Sequence, residues 1–238
     1  MNQRPVALVF CGGSGKRLRP LTYLMRKEML PIGRQRKPLL EYIVNHLRRS
    51  GFDEIVFLHS KNQSDDIANY FGDGSRFGVE IRHQSDPDGC QGTGHALLGA
   101  IKSLDLHERV LLLYYGDMLT NVDLRNALTR HRSQNAAATL ILSDSYILPK
   151  GVALLDKTGA VKALREKPPW DGPGKIGIGI LFCDAGRLLK VLSGAPLPEI
   201  LRSNESRDVM KDLVPKLIQR DKVTSYITDQ NWLDIGSF

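Results

Sequence analysis

A glycine-rich loop with two basic residues follows the first strand-like segment of the chain. The loop contains Gly12, Gly13 and Gly15, and Lys16 and Arg17 come directly after it. Glycine lets backbone N–H groups approach an anion closely, and lysine and arginine add charge-assisted hydrogen bonds. The pattern is compatible with a simple chain turn, and it also predicts a phosphate-binding loop.

Two better-defined phosphate motifs do not fit this loop. A Walker A loop requires GxxxxGK[ST], but here Gly15-Lys16 is followed by Arg17. The dinucleotide fingerprint GxGxxG fails because Leu18 stands where the third glycine belongs. Where that fingerprint also needs an acidic residue, about 20 residues further on, the chain is basic, with Arg34, Arg36 and Lys37.

A carboxylate, Asp117, follows the apolar run 109–115. In open α/β sheets, ligands bind at the carboxyl ends of the strands, so Asp117 is a candidate binding residue. The alternative is a turn or capping residue. The six histidines are scattered along the chain, and no His/Cys cluster predicts a zinc site.

Strands and helices alternate through the first half of the chain. Apolar runs predict strands over 5–11, 54–59, 79–83, 109–115 and 136–143, with helices over 39–50, 65–71, 93–104 and 123–132 between them. Further strands are predicted over 152–156, 161–166, 177–183 and 223–228, and helices over 185–192 and 206–220. This order predicts an α/β fold: a single doubly wound, mainly parallel, Rossmann-like sheet flanked by helices, in one domain over 1–238.

Composition narrows the classes of partner. The 238 residues are 42% hydrophobic and 25% charged, as in globular proteins. The longest apolar runs are too short for a membrane helix, and no signal peptide is visible, so we expect a cytoplasmic protein without a membrane partner. Three cysteines without CxxC spacing predict reduced, structural thiols. The net charge of +7 favours anionic partners. Aromatic residues do not interleave with the basic ones, so we expect no nucleic-acid partner and favour phosphorylated small molecules.

The glycine-rich loop and the segment after it resemble a known family. The run Gly12-Gly13-Ser14-Gly15-Lys16-Arg17-Leu18-Arg19-Pro20-Leu21-Thr22, then Lys27-Glu28-Met29-Leu30-Pro31-Ile32-Gly33 and Lys37-Pro38, resembles the opening GGxGTRLxPLT…PKxMLPI…KP of the sugar-1-phosphate nucleotidyltransferases. These NDP-sugar pyrophosphorylases include mannose-1-phosphate guanylyltransferases and glucose-1-phosphate thymidylyltransferases. Lys16 replaces the usual threonine, and Arg26 replaces the proline before the signature lysine. Later motifs keep the family's order along nearly the whole chain.

The resemblance implies transfer of a nucleoside monophosphate from a nucleoside triphosphate to a sugar-1-phosphate, with release of pyrophosphate. It implies Arg17 and Lys27 as the catalytic cations. Gly12, Gly13, Gly15 and Lys16 would bind the nucleotide. The cofactor implied is Mg²⁺, held by Asp117 of the GD motif, which would also face the nucleotide, and by Asp234 of Trp232-Leu233-Asp234-Ile235-Gly236-Ser237, which resembles WxDIGT.

The resemblance also implies the substrate-reading residues. Gln84, Gly92 and Thr93 would contact the base, with Gln91 as a second candidate amide, and a Gly-Thr helix cap is the alternative for Gly92 and Thr93. Glu166 and Lys167 of the EKP motif and Gly179 would bind the sugar phosphate. Gly177 stands where the family often has asparagine. We interpret residues 208–217 as scaffold.

Two other functions remain open on the sequence. One is a catalytically silent regulatory subunit that binds nucleotides or nucleotide sugars. The other is transfer to a non-sugar phosphate, which the missing asparagine at Gly177 would permit. The base, the sugar and assembly into a homo-oligomer are not determined by the sequence.

Overall fold

The computed structural model describes residues 4–60, 65–87, 89, 92–144, 152–155, 157–158, 160–165, 169, 174–192 and 208–236. Within these ranges the strands are β1 (Val6–Phe10), β2 (Pro31–Ile32), β3 (Lys37–Pro38), β4 (Glu54–His59), β5 (Glu80–Ser85), β6 (Val110–Tyr115), β7 (Met118–Thr120), β8 (Ala138–Ser143), β9 (Val152–Leu155), β10 (Val161–Arg165), β11 (Ile176–Asp184), β12 (Val223–Thr228) and β13 (Trp232–Asp234). The α-helices are α1 (Leu39–Arg49), α2 (Asp65–Phe71), α3 (Thr93–Ser103), α4 (Leu124–Ser133), α5 (Ala185–Leu192) and α6 (Val214–Arg220).

The central sheet has seven strands in the order β12-β8-β11-β6-β1-β4-β5. All neighbours run parallel except β11, which is antiparallel to both β6 and β8. The prediction of a mainly parallel sheet flanked by helices is therefore confirmed. Because the parallel strands end at the same edge, the loops after β6, β1, β4 and β5 lie side by side.

The sheet is buried on both faces. Side chains of β1 alternate between two apolar layers, with Leu8 in one and Val9 in the other. Leu97 of α3 and Leu188 of α5 pack into the first layer, and Leu40 of α1 packs into the second. Continuous apolar runs such as that of β1 are typical of strands covered on both faces.

Two local features differ from the sequence prediction. The sequence predicts a helix over 206–220, but the described part has a π-helical turn at Val209–Leu213 before α6. Asp208 caps this turn by accepting hydrogen bonds from the backbone N–H groups of Met210 and Lys211. The second feature is the two-stranded ribbon of β7 and β13, which pairs Asp234 with Met118 and so places Asp234 beside the end of β6.

Expectations about the cysteines and membranes can also be examined in the described residues. Cys11 and Cys183 are buried free thiols, as predicted, and burial raises the pKa of both. Cys90 lies outside the described residues. No helix in the described part of the chain is long and apolar enough to cross a membrane.

Candidate active site

A cavity of about 670 Å³ opens at the carboxyl edge of the sheet. Residues that come shortly after four parallel strands line it: Gly12 after β1, Ser60 after β4, Asp86 after β5 and Asp117 after β6. Its other wall includes Gly177 and Gly179 of β11 and the segment around Asp208. The cavity is thus at the edge where ligands bind in open α/β sheets.

Most of the site residues expected from the sequence meet in this cavity. The expected residues that line it are Gly12, Gly13, Arg17, Lys27, Gly92, Thr93, Asp117, Gly179 and Asp234. They come from six separate stretches of the chain, so the fold brings together what the sequence separates. Glu166, Lys167 and Gln91 lie outside the described residues, and their roles stay predictions.

Lys27 lies at the centre of the site. Its ammonium Nζ is 2.5 Å from Oδ2 of Asp117 and 3.9 Å from Oε1 of Glu28. A Cβ on Gly13 would stand 2.8 Å from the same Nζ, closer than real side chains approach. The glycine therefore lets the loop pass directly over the lysine, and any side chain at this position would displace the end of Lys27.

Asp117 and Asp234 converge with Arg17 on one point. A Cβ on Gly236 would lie 2.7 Å from Oδ1 of Asp234, 3.0 Å from Oδ2 of Asp117 and 3.0 Å from Nη2 of Arg17. The two carboxylate oxygens are therefore within about 6 Å of one another. The backbone N–H of Ile235, which donates to the carbonyl of Asp117 at 2.9 Å, fixes this approach.

This pair of acids fits a magnesium ion. Carboxylate oxygens are hard donors, which Mg²⁺ prefers, and magnesium usually completes its shell with water and phosphate oxygens. Among the described residues no group of three or more His, Cys, Asp or Glu side chains could hold a metal. A Mg²⁺ ion bound here would take Asp117 and Asp234 as its protein ligands, and substrate phosphates and water would complete its shell.

The carboxylate of Glu28 is buried next to the ammonium group of Lys27. Glu28 has no exposed surface, and neither of its oxygens has a hydrogen-bond partner in the described residues. Burial raises the pKa of Glu28 to about 7, while the nearby Lys27 opposes that rise. Arg26, which replaces the family's proline, places Nε 3.8 Å from Glu28 and donates to the carbonyl of Cys11. Arg26 thus ties the signature segment to the end of β1.

Thr93 connects two walls of the cavity. Its hydroxyl accepts a hydrogen bond from the backbone N–H of Val209 at 3.0 Å and lies 3.5 Å from the hydroxyl of Tyr115. Gly92 is the N-cap residue of α3 and its carbonyl accepts the N–H of Ala96 at 3.2 Å, so the capping alternative stays open for Gly92. Thr93 also holds the π-helical turn against the cavity.

The scaffold interpretation of the segment that begins at Asp208 is wrong in part. Asp208, Met210 and Lys211 line the cavity, and Lys211 adds an exposed cation to it. The sequence signal is weak, because nothing local distinguishes these residues from an ordinary helix start. A π-helical turn, which often marks a functional site, cannot be read from side-chain periodicity.

Three predicted nucleotide contacts are not part of the cavity wall. Gly15 has φ +58° and accepts the Thr22 hydroxyl at its carbonyl, so it shapes the loop. Lys16 is exposed beside the loop. Gln84 lies within β5, where Oε1 accepts from the Ser103 hydroxyl at 2.9 Å and Nε2 donates to the Ser85 carbonyl at 2.8 Å. Since the amide is engaged at both ends, its expected contact with a base has no support here.

Ser60 and Asp86 are cavity residues that the sequence reasoning missed. The Ser60 hydroxyl lies 3.4 Å from both Oδ2 of Asp86 and the carbonyl of Gly12. One signal could have found them. Each comes directly after a parallel strand, at the edge of the sheet where the glycine-rich loop lies and where side chains are free to face a ligand.

The fold and the converging acids define an α/β protein with a charged cavity at the carboxyl edge of its sheet. Comparison with known proteins makes this specific. A family model described as nucleotidyl transferase matches residues 6–238. The chain belongs to the nucleotidyl transferase family.

Two curated relatives are similar over most of this chain. A UTP–glucose-1-phosphate uridylyltransferase from Synechocystis is 30% identical over 97% of this chain, which spans 60% of that protein. A D-glycero-alpha-D-manno-heptose 1-phosphate guanylyltransferase from Aneurinibacillus thermoaerophilus is 28% identical over 97% of this chain and 92% of its own length.

A solved structure shares the fold. The crystal structure of a Bacillus anthracis protein described as a glucose-1-phosphate thymidylyltransferase superposes with a TM-score of 0.74 at 22% identity. The match covers 97% of this chain and 89% of that one. It supports the α/β architecture described above.

Proposed function

We propose that this chain transfers a nucleoside monophosphate from a nucleoside triphosphate to a sugar-1-phosphate and releases pyrophosphate. The observation that carries the proposal is the convergence of Arg17, Asp117 and Asp234 on one point beside the phosphate loop. The names of the relatives support the same reaction. A catalytically silent binding subunit is the less favoured alternative, because the acids and the cations are assembled together.

In this reaction an oxygen of the sugar phosphate attacks the α-phosphorus of the triphosphate, and the bond to the leaving pyrophosphate breaks. The nucleophile needs no activating base, so the protein's task is to align two anions and stabilise the negative charge that develops. Lys27 and Arg17 provide fixed positive charge. Bound Mg²⁺ would neutralise phosphate oxygens and orient the polyphosphate.

The sugar phosphate is proposed to occupy the side of the cavity formed by β11. Gly179 has φ +71°, and a Cβ there would lie 3.5 Å from the ring of Tyr115. At Gly177 a Cβ would meet Leu142 alone among the described residues, at 3.9 Å, so the described part of this wall is open. Glu166 and Lys167 are proposed to complete the sugar-phosphate site from the segment that comes after β10. A non-sugar phosphate remains an alternative acceptor.

Pyrophosphate release with a panel of triphosphates and sugar-1-phosphates tests the proposal. We expect turnover with one pair, dependence on Mg²⁺, and a higher KM for the sugar phosphate in Lys167→Ala. Nucleotide binding without release of pyrophosphate from any pair would favour the silent subunit. The single-domain organisation, a cytoplasmic location and a homo-oligomer stay predictions.

A further inference from the structure

The cavity that contains the acid pair is also lined by Ser60 and Asp86, which follow β4 and β5. Neighbouring strands lie about 4.8 Å apart, so the three steps from β6 to β5 span roughly 14 Å. Phe10, Leu58 and Ala96, each nearly buried, add apolar atoms to the lining. A cleft of this length with a mixed apolar and polar lining suits a nucleoside.

Asp86 is the carboxylate that lines this cleft directly after β5. The Oδ2 atom of Asp86 lies 3.6 Å from the point where a Cβ on Gly12 would stand, so the carboxylate reaches across β4 to the phosphate loop. Within the described residues the only hydrogen-bond donor to this carboxylate is the Ser60 hydroxyl, at 3.4 Å. Burial raises the pKa of Asp86, an effect that further N–H donors from a ligand would offset.

The bases differ in what they offer a carboxylate. Guanine presents two adjacent donors, N1–H and the N2 amino group, which match the two acceptor oxygens of an aspartate. Uracil and thymine present a single N–H between two carbonyl oxygens, and a carboxylate repels those oxygens. Adenine and cytosine place a ring-nitrogen acceptor beside their amino group. Only guanine is fully complementary.

We propose that Asp86 selects guanine, so that the triphosphate of the proposed function is GTP. Ser60 would hold the carboxylate in place while the guanine edge donates to it. This inference rests on the proposed function, since it assigns the base of the nucleotide that the cavity binds.

Equilibrium binding in the presence of Mg²⁺ tests the assignment with GTP, inosine triphosphate, xanthosine triphosphate, UTP and dTTP. We expect the wild-type chain to bind GTP roughly 10- to 100-fold more tightly than inosine triphosphate, which lacks the N2 amino group. In Asp86→Asn this preference should be lost. Xanthosine triphosphate should gain affinity, because its C2 carbonyl can accept from the new amide. The change of preference distinguishes recognition from a structural role.

Asp53→Asn is the matched control, because Asp53 precedes β4 at the opposite edge of the sheet and its side chain is 59% exposed. It should leave all five affinities unchanged. Tightest binding of UTP or dTTP, or equal binding of GTP and inosine triphosphate, would overturn the base assignment, and this wild-type result does not depend on any variant folding. An unchanged preference for GTP over inosine triphosphate in a folded Asp86→Asn variant would also overturn it. If no triphosphate binds, the proposed function itself fails.

Discussion

The ammonium group of Lys27 and the carboxylate of Asp117 form a 2.5 Å ion pair between residues 90 positions apart in the chain. Both side chains are mostly buried, with 13% and 15% of their surface exposed. The pair connects the signature segment to the end of β6. It orients a carboxylate that would otherwise be free to rotate away from Asp234.

Replacing Asp117 tests the acid pair. In Asp117→Asn we expect pyrophosphate release to fall roughly 100-fold or more, because one of the two proposed Mg²⁺ ligands loses its charge. Leaving Lys27 without its closest partner should also lower the free energy of unfolding by about 1 to 3 kcal/mol. Turnover assays over a Mg²⁺ titration and urea unfolding measure the two effects. Asp105→Asn, at a side chain that is 96% exposed, is the control. Unchanged turnover would remove Asp117 from the site.

Gly13 provides a test of where Lys27 must lie. The new methyl group of Gly13→Ala would displace the flexible end of Lys27, so we expect kcat to fall by about 10- to 100-fold with little change in Tm. Gly174→Ala is matched to it, because a Cβ there would meet no described residue within 4 Å. Equal activity of the two variants would show that the lysine's position does not matter.

The buried Glu28 predicts a pH dependence of stability. Burial raises its pKa from 4.5 to about 7, so the folded chain binds a proton more tightly than the unfolded chain. Glu28 therefore makes the free energy of unfolding fall as pH rises from about 4.5 to 7, by up to roughly 3 kcal/mol, and the effect levels off above that range. Urea unfolding of wild type and Glu28→Gln at several pH values isolates the contribution of Glu28 to the free energy of unfolding. The stability of wild type relative to the variant should decline with rising pH, and a constant difference would contradict the raised pKa.

Lys211 tests the cavity wall formed by the π-helical turn. Its positive charge faces a cavity that would hold two anionic substrates, so we expect Lys211→Ala to raise the KM for one of them by about tenfold with a smaller effect on kcat. Lys190→Ala, which removes an exposed cation on α5, should change neither constant. If both variants behave like wild type, the lysine is only a surface residue.

Much of the fold could be predicted because its strands are continuous apolar runs. β4, β12, α2 and α5 have the predicted bounds, and the other long elements differ at their ends by a few residues. The ribbons of β2 with β3 and β7 with β13 were missed because two or three residues carry no periodic pattern. The antiparallel direction of β11 was also missed, since strand direction depends on the connection and not on the local sequence.

The site residues could be predicted where a sequence motif determines the backbone. They were harder to predict where the direction of a side chain decides whether it reaches the cavity. Gly13, Lys27 and Asp117 lie in the cavity, as the resemblance implied. Gln84 differs because its amide is bonded to the Ser103 hydroxyl and the Ser85 carbonyl within the scaffold. Asp86 lies just past the end of β5 and lines the cavity.

The ribbon of β7 and β13 brings a residue that comes late in the chain to the acid pair. Asp234 comes after every strand of the seven-stranded sheet in chain order, yet it completes the acid pair begun by Asp117. All seven strands of the sheet therefore precede one of the two proposed metal ligands in the chain. A chain that ended just after β12 would keep every strand of the sheet and lose Asp234, so the proposed acid pair would be incomplete.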